Sequence, residues 1–386
     1  MKLLWLGIFA SAAALALLSL CYVARRLAGV FGYRREMNRS ERRKIFSLSL
    51  LITLAVLILA GLFLNTVNAA VCLMHLAAVL ACLDLVCLLM RKLFPRRLSR
   101  FSKNSMGRAS FAAALFLTVT VLSAGWYLDH HVWRTEYTVY TSKPVRPFNA
   151  VLIADAHLGT TFDAAGFREH LKAVQAENPD IIFLAGDMVD DDTSKEDMIA
   201  ASRDLGRLSS RYGVYMVHGN HEKGYYGAAR RGFSAEDFTR ELENNGVRVL
   251  LDENVSPESG LLISGRKDLS AEKELHGTRL SPAELLKGTD LANTYAVALD
   301  HQPAEYDRHS AAGFDLVLSG HTHGGQLFPF NEAGRWLGAV DLVYGHEIRG
   351  GTDFIVTSGI SDWALRFKTG TKSEYVVINV LPRDVR

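Results

Sequence analysis

Four long apolar runs fill the first third of the chain, and short apolar runs separated by amphipathic stretches fill the rest. Residues 3–23, 46–64, 69–90 and 110–128 each approach the ~20 residues with which a helix crosses a bilayer. They predict a transmembrane region over residues 1–128. A polar stretch, residues 129–147, reads as a linker. From residue 148 to 386 the period changes to that of a layered α/β unit. Strand-like runs fall at 150–154, 181–185, 214–217, 261–264, 295–299, 316–319, 354–357 and 375–380. Helical spacing appears at 164–178 (Phe167, Leu171, Val174), at 197–210, and at 235–245, where Gly246 closes the segment.

Charge sharpens this division and adds a direction. The whole chain has a net charge of only +2 over 386 residues. Up to His130, however, there are 16 Lys and Arg against 4 Asp and Glu, and beyond it 27 against 37. Eight basic residues lie between Arg25 and Lys44, and seven between Arg91 and Arg108. The second connection, around Asn65-Thr66, has none. Short Lys- and Arg-rich loops remain cytoplasmic. The first and third connections are therefore expected inside, with both termini and the catalytic half outside the cytoplasm in a multi-pass membrane protein. Asp84 and His75 would then be ionisable groups at membrane depth. They suit either polar contacts within the helical bundle or a proton path.

Cysteine usage excludes several chemistries. Cys21, Cys72, Cys82 and Cys87 all lie in the apolar runs, so the second half offers no thiolate zinc site, no disulfide framework and no cysteine nucleophile. It offers oxygen and imidazole donors instead. Asp155-Ala156-His157, Gly186-Asp187, Gly219-Asn220-His221-Glu222, His301 and Gly320-His321-Thr322-His323 each follow an apolar run closely. Loops at the carboxyl ends of strands converge on one rim, so these five segments can meet in space. A site mixing Asp, Asn and His suits manganese, iron or zinc better than calcium. Two such ions ~4 Å apart lower the pKa of a water and clamp the oxygens of an in-line phosphoryl displacement.

Taken in order, Asp155-x-His157, Gly186-Asp187-x-x-Asp190, Gly219-Asn220-His221-Glu222 and Gly320-His321-x-His323-Gly324-Gly325-Gln326 resemble the calcineurin-like metallophosphoesterases, in particular their membrane-attached bacterial branch. The resemblance covers residues 149–380. It implies a layered αββα domain holding two divalent ions (Mn, Fe or Zn). Asp155, His157, Asp187 and His323 would hold the first, and Asp187, Asn220, His301 and His321 the second. His221 would meet the phosphate and assist the leaving oxygen, with Asn220 and Asp187 also at the reacting centre. Asp190 would orient its neighbours, and Arg366 matches a family arginine that touches substrate phosphate. Lys372-Ser373-Glu374 departs from the family's Pro-Glu step at this point.

The expected reaction is hydrolysis of a phosphodiester or pyrophosphate bond by a metal-bridging hydroxide. Anchoring in a lipid bilayer makes a lipid- or envelope-linked phosphate the natural substrate class, and no nucleic acid partner is expected. A phosphomonoesterase, or a membrane sensor that binds a phosphorylated ligand without turnover, are the alternatives. His309 competes with His301 as a ligand. His170, His218, His276 and His346 read as ordinary histidines, Asp191 and Asp192 as a solvated turn, and Tyr225 and Tyr226 as either a cleft lining or a packed loop. Oligomeric state is left open.

Overall fold

A computed structural model describes residues 2–34, 36–98, 102–273 and 277–383, so that Arg35, Arg100 and His276 lie outside the described residues. The chain forms two compact units, Met1–Ala124 and Gly125–Arg386.

Four helices, Lys2–Val30, Arg39–Leu64, Thr66–Leu93 and Lys103–His130, are long and apolar enough to cross a membrane. Exposed side chains such as Leu62, Phe63 and Phe116 face outward from them. Water disfavours such a surface and lipid accommodates it. Asn65 alone separates the second and third helices. Its backbone N–H caps Gly61 O at the end of one, and its side chain accepts from Asn68 N at the start of the next. Asp84 is not left unpaired. Arg26 Nη2 lies 2.9 Å from its Oδ1, and the Tyr22 hydroxyl donates to its Oδ2 at 2.6 Å.

The second unit is built on two six-stranded sheets. The first has the order β1-β12-β2-β3-β4-β5: β1 (Trp133–Thr141), β12 (Glu374–Pro382), β2 (Phe148–Ile153), β3 (Ile181–Leu184), β4 (Val214–Met216) and β5 (Val247–Val249). The second has the order β10-β11-β9-β8-β7-β6: β10 (Gly345–Arg349), β11 (Thr352–Val356), β9 (Leu316–Ser319), β8 (Tyr295–Leu299), β7 (Leu261–Gly265) and β6 (Glu253–Glu258). Strands β2 to β5 run parallel, as do β11, β9, β8 and β7. Interior parallel strands are covered on both faces, which explains runs such as Ile181–Leu184 with every residue buried.

Alternation along each strand sorts these side chains into layers. Ala150, Leu152 and Phe183 meet Ile263, Val297, Leu299 and Leu318 between the sheets. Val151, Ile153, Ile182 and Leu184 point the other way, against Phe167, Leu171, Met198, Phe238 and Leu242. Those five residues lie on the helices Ala164–Ala176, Lys195–Leu205 and Ala235–Asn244. On the far face of the second sheet, Ala296, Ala298, Val317 and Phe354 pack against Leu285, Tyr306 and Phe314. The result is the expected αββα layering.

One expectation is corrected. Residues 129–147 are not simply a linker, because β1 lies within them and pairs in parallel with β12 from Trp133↔Glu374 to Thr141↔Pro382. Its residues mostly alternate between half-buried and exposed, with full burial only near its end, so it carries no continuous apolar run. Strands β5, β6 and β10 were likewise not expected, and together with β1 they are the four sheet edges. Edge strands are covered incompletely and tolerate polar residues.

Candidate metal centre

Each donor-bearing segment leaves the carboxyl end of a strand: Asp155 after β2, Asp187 after β3, Asn220 after β4, His301 after β8 and His321 after β9. The loops are stitched to one another through the backbone. Asp155 N donates to Gly186 O, His157 N to Asp187 O, and Gly320 N to His301 O. Asp155, His157, Asp187, His321 and His323 all adopt positive φ, between 38° and 74°. That region is unfavourable for residues with a Cβ, and its clustering marks a place where the surroundings dictate side-chain direction.

Three donor groups result among the described residues. Asp155, His157 and His323 form one, Asp187, His301 and His321 another, and His157, Asp190 and His221 a third that shares His157 with the first, with the donor atoms of each group within 4.8 Å of one another. Asp187 reaches the first two. Its Oδ2 lies 3.0 Å from His301 Nε2 and 3.8 Å from His157 Nε2, while its Oδ1 accepts from His221 N at 2.8 Å. His323 Nε2 is 3.8 Å from Asp155 Oδ1, and the Asp155 carboxylate also accepts from His321 N. His321 Nδ1 and His301 Nε2 face each other at 3.3 Å. The His221 ring lies 4.9 Å from that of His157.

The far nitrogens of three imidazoles are held from behind. His157 Nδ1 meets Asp190 Oδ2 at 3.2 Å, His301 Nδ1 meets Ala185 O at 2.7 Å, and His323 Nδ1 lies 3.3 Å from Asp362 Oδ1. Such partners fix a tautomer and turn the other nitrogen inward. The buried Glu222 braces the loops, accepting from Asp187 N, Met188 N and Gly219 N. Tyr225 OH accepts from Asn220 Nδ2 at 3.1 Å.

Electrostatics pulls these groups apart. Burial opposes charge on His157, but the Asp190 hydrogen bond and the charges of Asp187 and Asp155 outweigh it and raise its pKa to about 9. His301 is held well above the usual histidine value, with burial overcome chiefly by Asp187. Burial depresses His221 to about 4, and burial with the His301 charge depresses His321 to about 3. Burial raises Asp155 to about 6. Divalent cations would take the place of the protons on His157 and His301 and stabilise both carboxylates. The donor set fits them on a further count. His157 Nε2 and Asn220 Oδ1 are buried without a hydrogen-bond partner, and a bound cation would satisfy both.

The structure thus brings together Asp155, His157, Asp187, His221, His301, His321 and His323, with Asn220 next to His221 on the loop after β4 and its Nδ2 on Tyr225 OH. His309 is elsewhere in the hydrogen-bond network, with Nε2 3.5 Å from Asp300 Oδ2 and Nδ1 on Glu305 O. Arg366 is exposed on the segment between β11 and β12. The buried cation of that segment is Lys368, whose Nζ donates to Ser358 O and Ser361 O. Asp191 is not a merely solvated turn, since it accepts from Tyr225 N and Tyr226 N. Asp362 and Lys368 carry no local signal in the sequence. Glu222 stands within a recognisable string, but its three-donor role depends on residues 35 positions away.

Residues 148–325 match the calcineurin-like phosphoesterase family. Among curated proteins, a metallophosphoesterase of Aquifex aeolicus is 33% identical over 220 residues, 55% of this chain and 78% of the relative. One from Campylobacter jejuni is 29% identical over 237 residues, 60% of this chain but only 58% of the relative. A Danio rerio protein named transmembrane protein with metallophosphoesterase domain is 31% identical over 185 residues, 46% of this chain and 41% of the relative. The chain therefore spans less than two thirds of the length of several of these relatives.

Proposed function

The chain belongs to the calcineurin-like metallophosphoesterase family, and from that premise we propose that it hydrolyses a phosphodiester or pyrophosphate bond. The observation that carries this reading is the pair of donor groups Asp155/His157/His323 and Asp187/His301/His321, with Asp187 Oδ2 3.0 Å from His301 and 3.8 Å from His157, and His221 beside them. Asp155, His157, Asp187 and His323 would hold one divalent ion, and Asp187, Asn220, His301 and His321 the other. Manganese, iron and zinc all suit the donors. Such ions supply a water of lowered pKa and positive charge toward the phosphoryl oxygens.

The chain's own residues do the rest. Asp187 and His301 fix the spacing of the two groups. As the water oxygen bonds to phosphorus and the bond to the leaving oxygen breaks, His221, neutral because burial depresses its pKa to about 4, hydrogen-bonds the phosphate, takes up the proton that the water gives up and passes it to that oxygen. Its Nδ1 is buried without a partner and so is available for this. Arg366 is the proposed further contact to the phosphate.

The buried cations Arg231 and Lys368 are committed to backbone carbonyls, Arg231 to Phe233 O and Asp190 O and Lys368 to Ser358 O and Ser361 O, so neither is proposed as a phosphate contact. The four apolar helices make this a membrane protein. Its basic first and third connections support a multi-pass topology with the catalytic unit outside the cytoplasm. A lipid- or envelope-linked phosphate is the proposed substrate.

The test is turnover of bis(p-nitrophenyl) phosphate and p-nitrophenyl phosphate by the purified, manganese-loaded protein. The diester should be the better substrate, and Asp187→Asn should abolish its hydrolysis. Better turnover of the monoester would replace this reading with a phosphomonoesterase. No turnover of either, with Asp187→Asn indistinguishable from the parent, would leave a phosphate-binding sensor.

A further inference from the structure

We infer that Trp363 and Tyr225 form an aromatic subsite beside His221, which takes the planar ring of a phosphoester's organic arm. The inference rests on the phosphoester reading above and adds to it the nature of the leaving arm, an aryl or nucleobase group, the other arm of the diester being the lipid- or envelope-linked one.

The His221 ring touches three others. On the metal side it meets His157. Elsewhere it meets Tyr225, at 5.1 Å between centroids and 73° between planes, and Trp363, at 5.2 Å and 53°. Tyr225 is 49% exposed and Trp363 46%, so each offers ring surface to a ligand. The two come from distant loops, one following β4 and the other between β11 and β12, and each contacts the ring of this histidine.

Both rings are exposed on anchored backbone. Trp363 N donates to Asp362 Oδ1 at 3.0 Å, and Trp363 O accepts from Gln326 Nε2 at 3.1 Å. Tyr225 N donates to Asp191 Oδ2 at 2.9 Å, and its hydroxyl accepts from Asn220. Lys223 Nζ stands 4.8 Å from the Tyr225 ring. A surface held in place before ligand arrives loses little freedom on binding.

The setting favours a flat ring over an acyl chain. Among the described residues, Asn220, Asp191, Asp362, Gln326 and Lys223 contact the two aromatic residues, so the immediate border of the rings is polar. A ring instead needs only a face, and stacking is tolerant of a polar edge. Because His221 is the group proposed to protonate the leaving oxygen, a ring bound here belongs to the arm attached through that oxygen.

Binding tests this independently of turnover. Phenylphosphonate, methylphosphonate and octylphosphonate share one anionic head and differ only in the arm. They would be titrated calorimetrically into the full-length, manganese-loaded protein in detergent micelles. Phenylphosphonate should bind about tenfold more tightly than methylphosphonate, the size expected of one stacked ring. Trp363→Ala should erase that ratio, whereas Trp363→Phe should keep most of it. A ratio near one in the parent protein, no measurable phenylphosphonate binding, or a ratio that survives Trp363→Ala would overturn the subsite. So would octylphosphonate binding as tightly as phenylphosphonate. If the phenyl preference holds while bis(p-nitrophenyl) phosphate is not hydrolysed, the hydrolase reading fails and the subsite stands. The converse result removes the subsite alone.

Discussion

Substituting Gly219 by alanine should dismantle one half of the metal centre without touching a ligand. A Cβ at this position would stand 2.7 Å from His301 Nε2 and 2.7 Å from Asp187 Cγ, and would press on Asp187 Oδ1 as well. Contacts under 3.0 Å are essentially never seen for a real Cβ, so the neighbours must move. Neither can move freely. His301 is held through Nδ1 to Ala185 O, and Asp187 through Oδ1 to His221 N. Relief therefore requires shifting donor atoms by several tenths of an ångström or more. Overpacking of this kind costs about 1–3 kcal/mol in stability, and a misplacement approaching ~1 Å at a reacting centre lowers rate by roughly 10²-fold. Metal content by elemental analysis should fall from two ions per chain toward one. The kcat/KM for bis(p-nitrophenyl) phosphate should fall by about 10²-fold, and the free energy of unfolding in EDTA by about 1–3 kcal/mol. Retention of two ions with kcat/KM within about twofold of the parent would refute the steric argument and, with it, the assignment of Asp187 and His301 to one ion.

The remaining predictions address the ligands, the ion-pair network and the membrane topology. His301→Ala should lose bound metal, while His309→Ala should keep it, as elemental analysis would report; equal losses would put His309 in the centre. Dialysis against EDTA should abolish turnover and lower the thermal midpoint, and added manganese should restore both. Away from the metals, burial would raise the Glu305 pKa, but hydrogen bonds and charges from Arg266 and Arg279 outweigh it and bring it down to about 2 from an ordinary 4.5. Glu305 therefore contributes stability that is complete above about pH 4.5 and is lost as pH falls toward 2. In chemical denaturation of parent and Glu305→Gln, the difference in stability should shrink across that window, and a constant difference would contradict it. A reporter active only outside the cytoplasm, fused after Arg386, should be active; silence there, with activity from a cytoplasmic reporter, would reverse the topology.

Short-range chemistry in the sequence determined a good deal. Four membrane-length helices follow from apolar runs alone, because in lipid the helix satisfies its own backbone. The eight interior strands were all anticipated, since strands buried on both faces must be continuously apolar. Donors placed just after those strands were legible for the same reason: a parallel strand's carboxyl end is where its loop reaches the rim. The tertiary structure decided what depends on partners distant in the chain. All four edge strands lack a continuous apolar run because incomplete cover leaves them polar, and only pairing such as Trp133↔Glu374 makes 133–141 a strand. The preference for His301 over His309 has a structural basis in the contact with Asp187, a residue more than a hundred positions earlier. Asp362 behind His323, Glu222 across three amides, and Trp363 and Tyr225 around His221 are similarly products of folding. Local pattern specifies which segments become strands, helices and turns. Which side chains then stand within 3–4 Å of each other is set by register and layer order, and those are properties of the whole sheet.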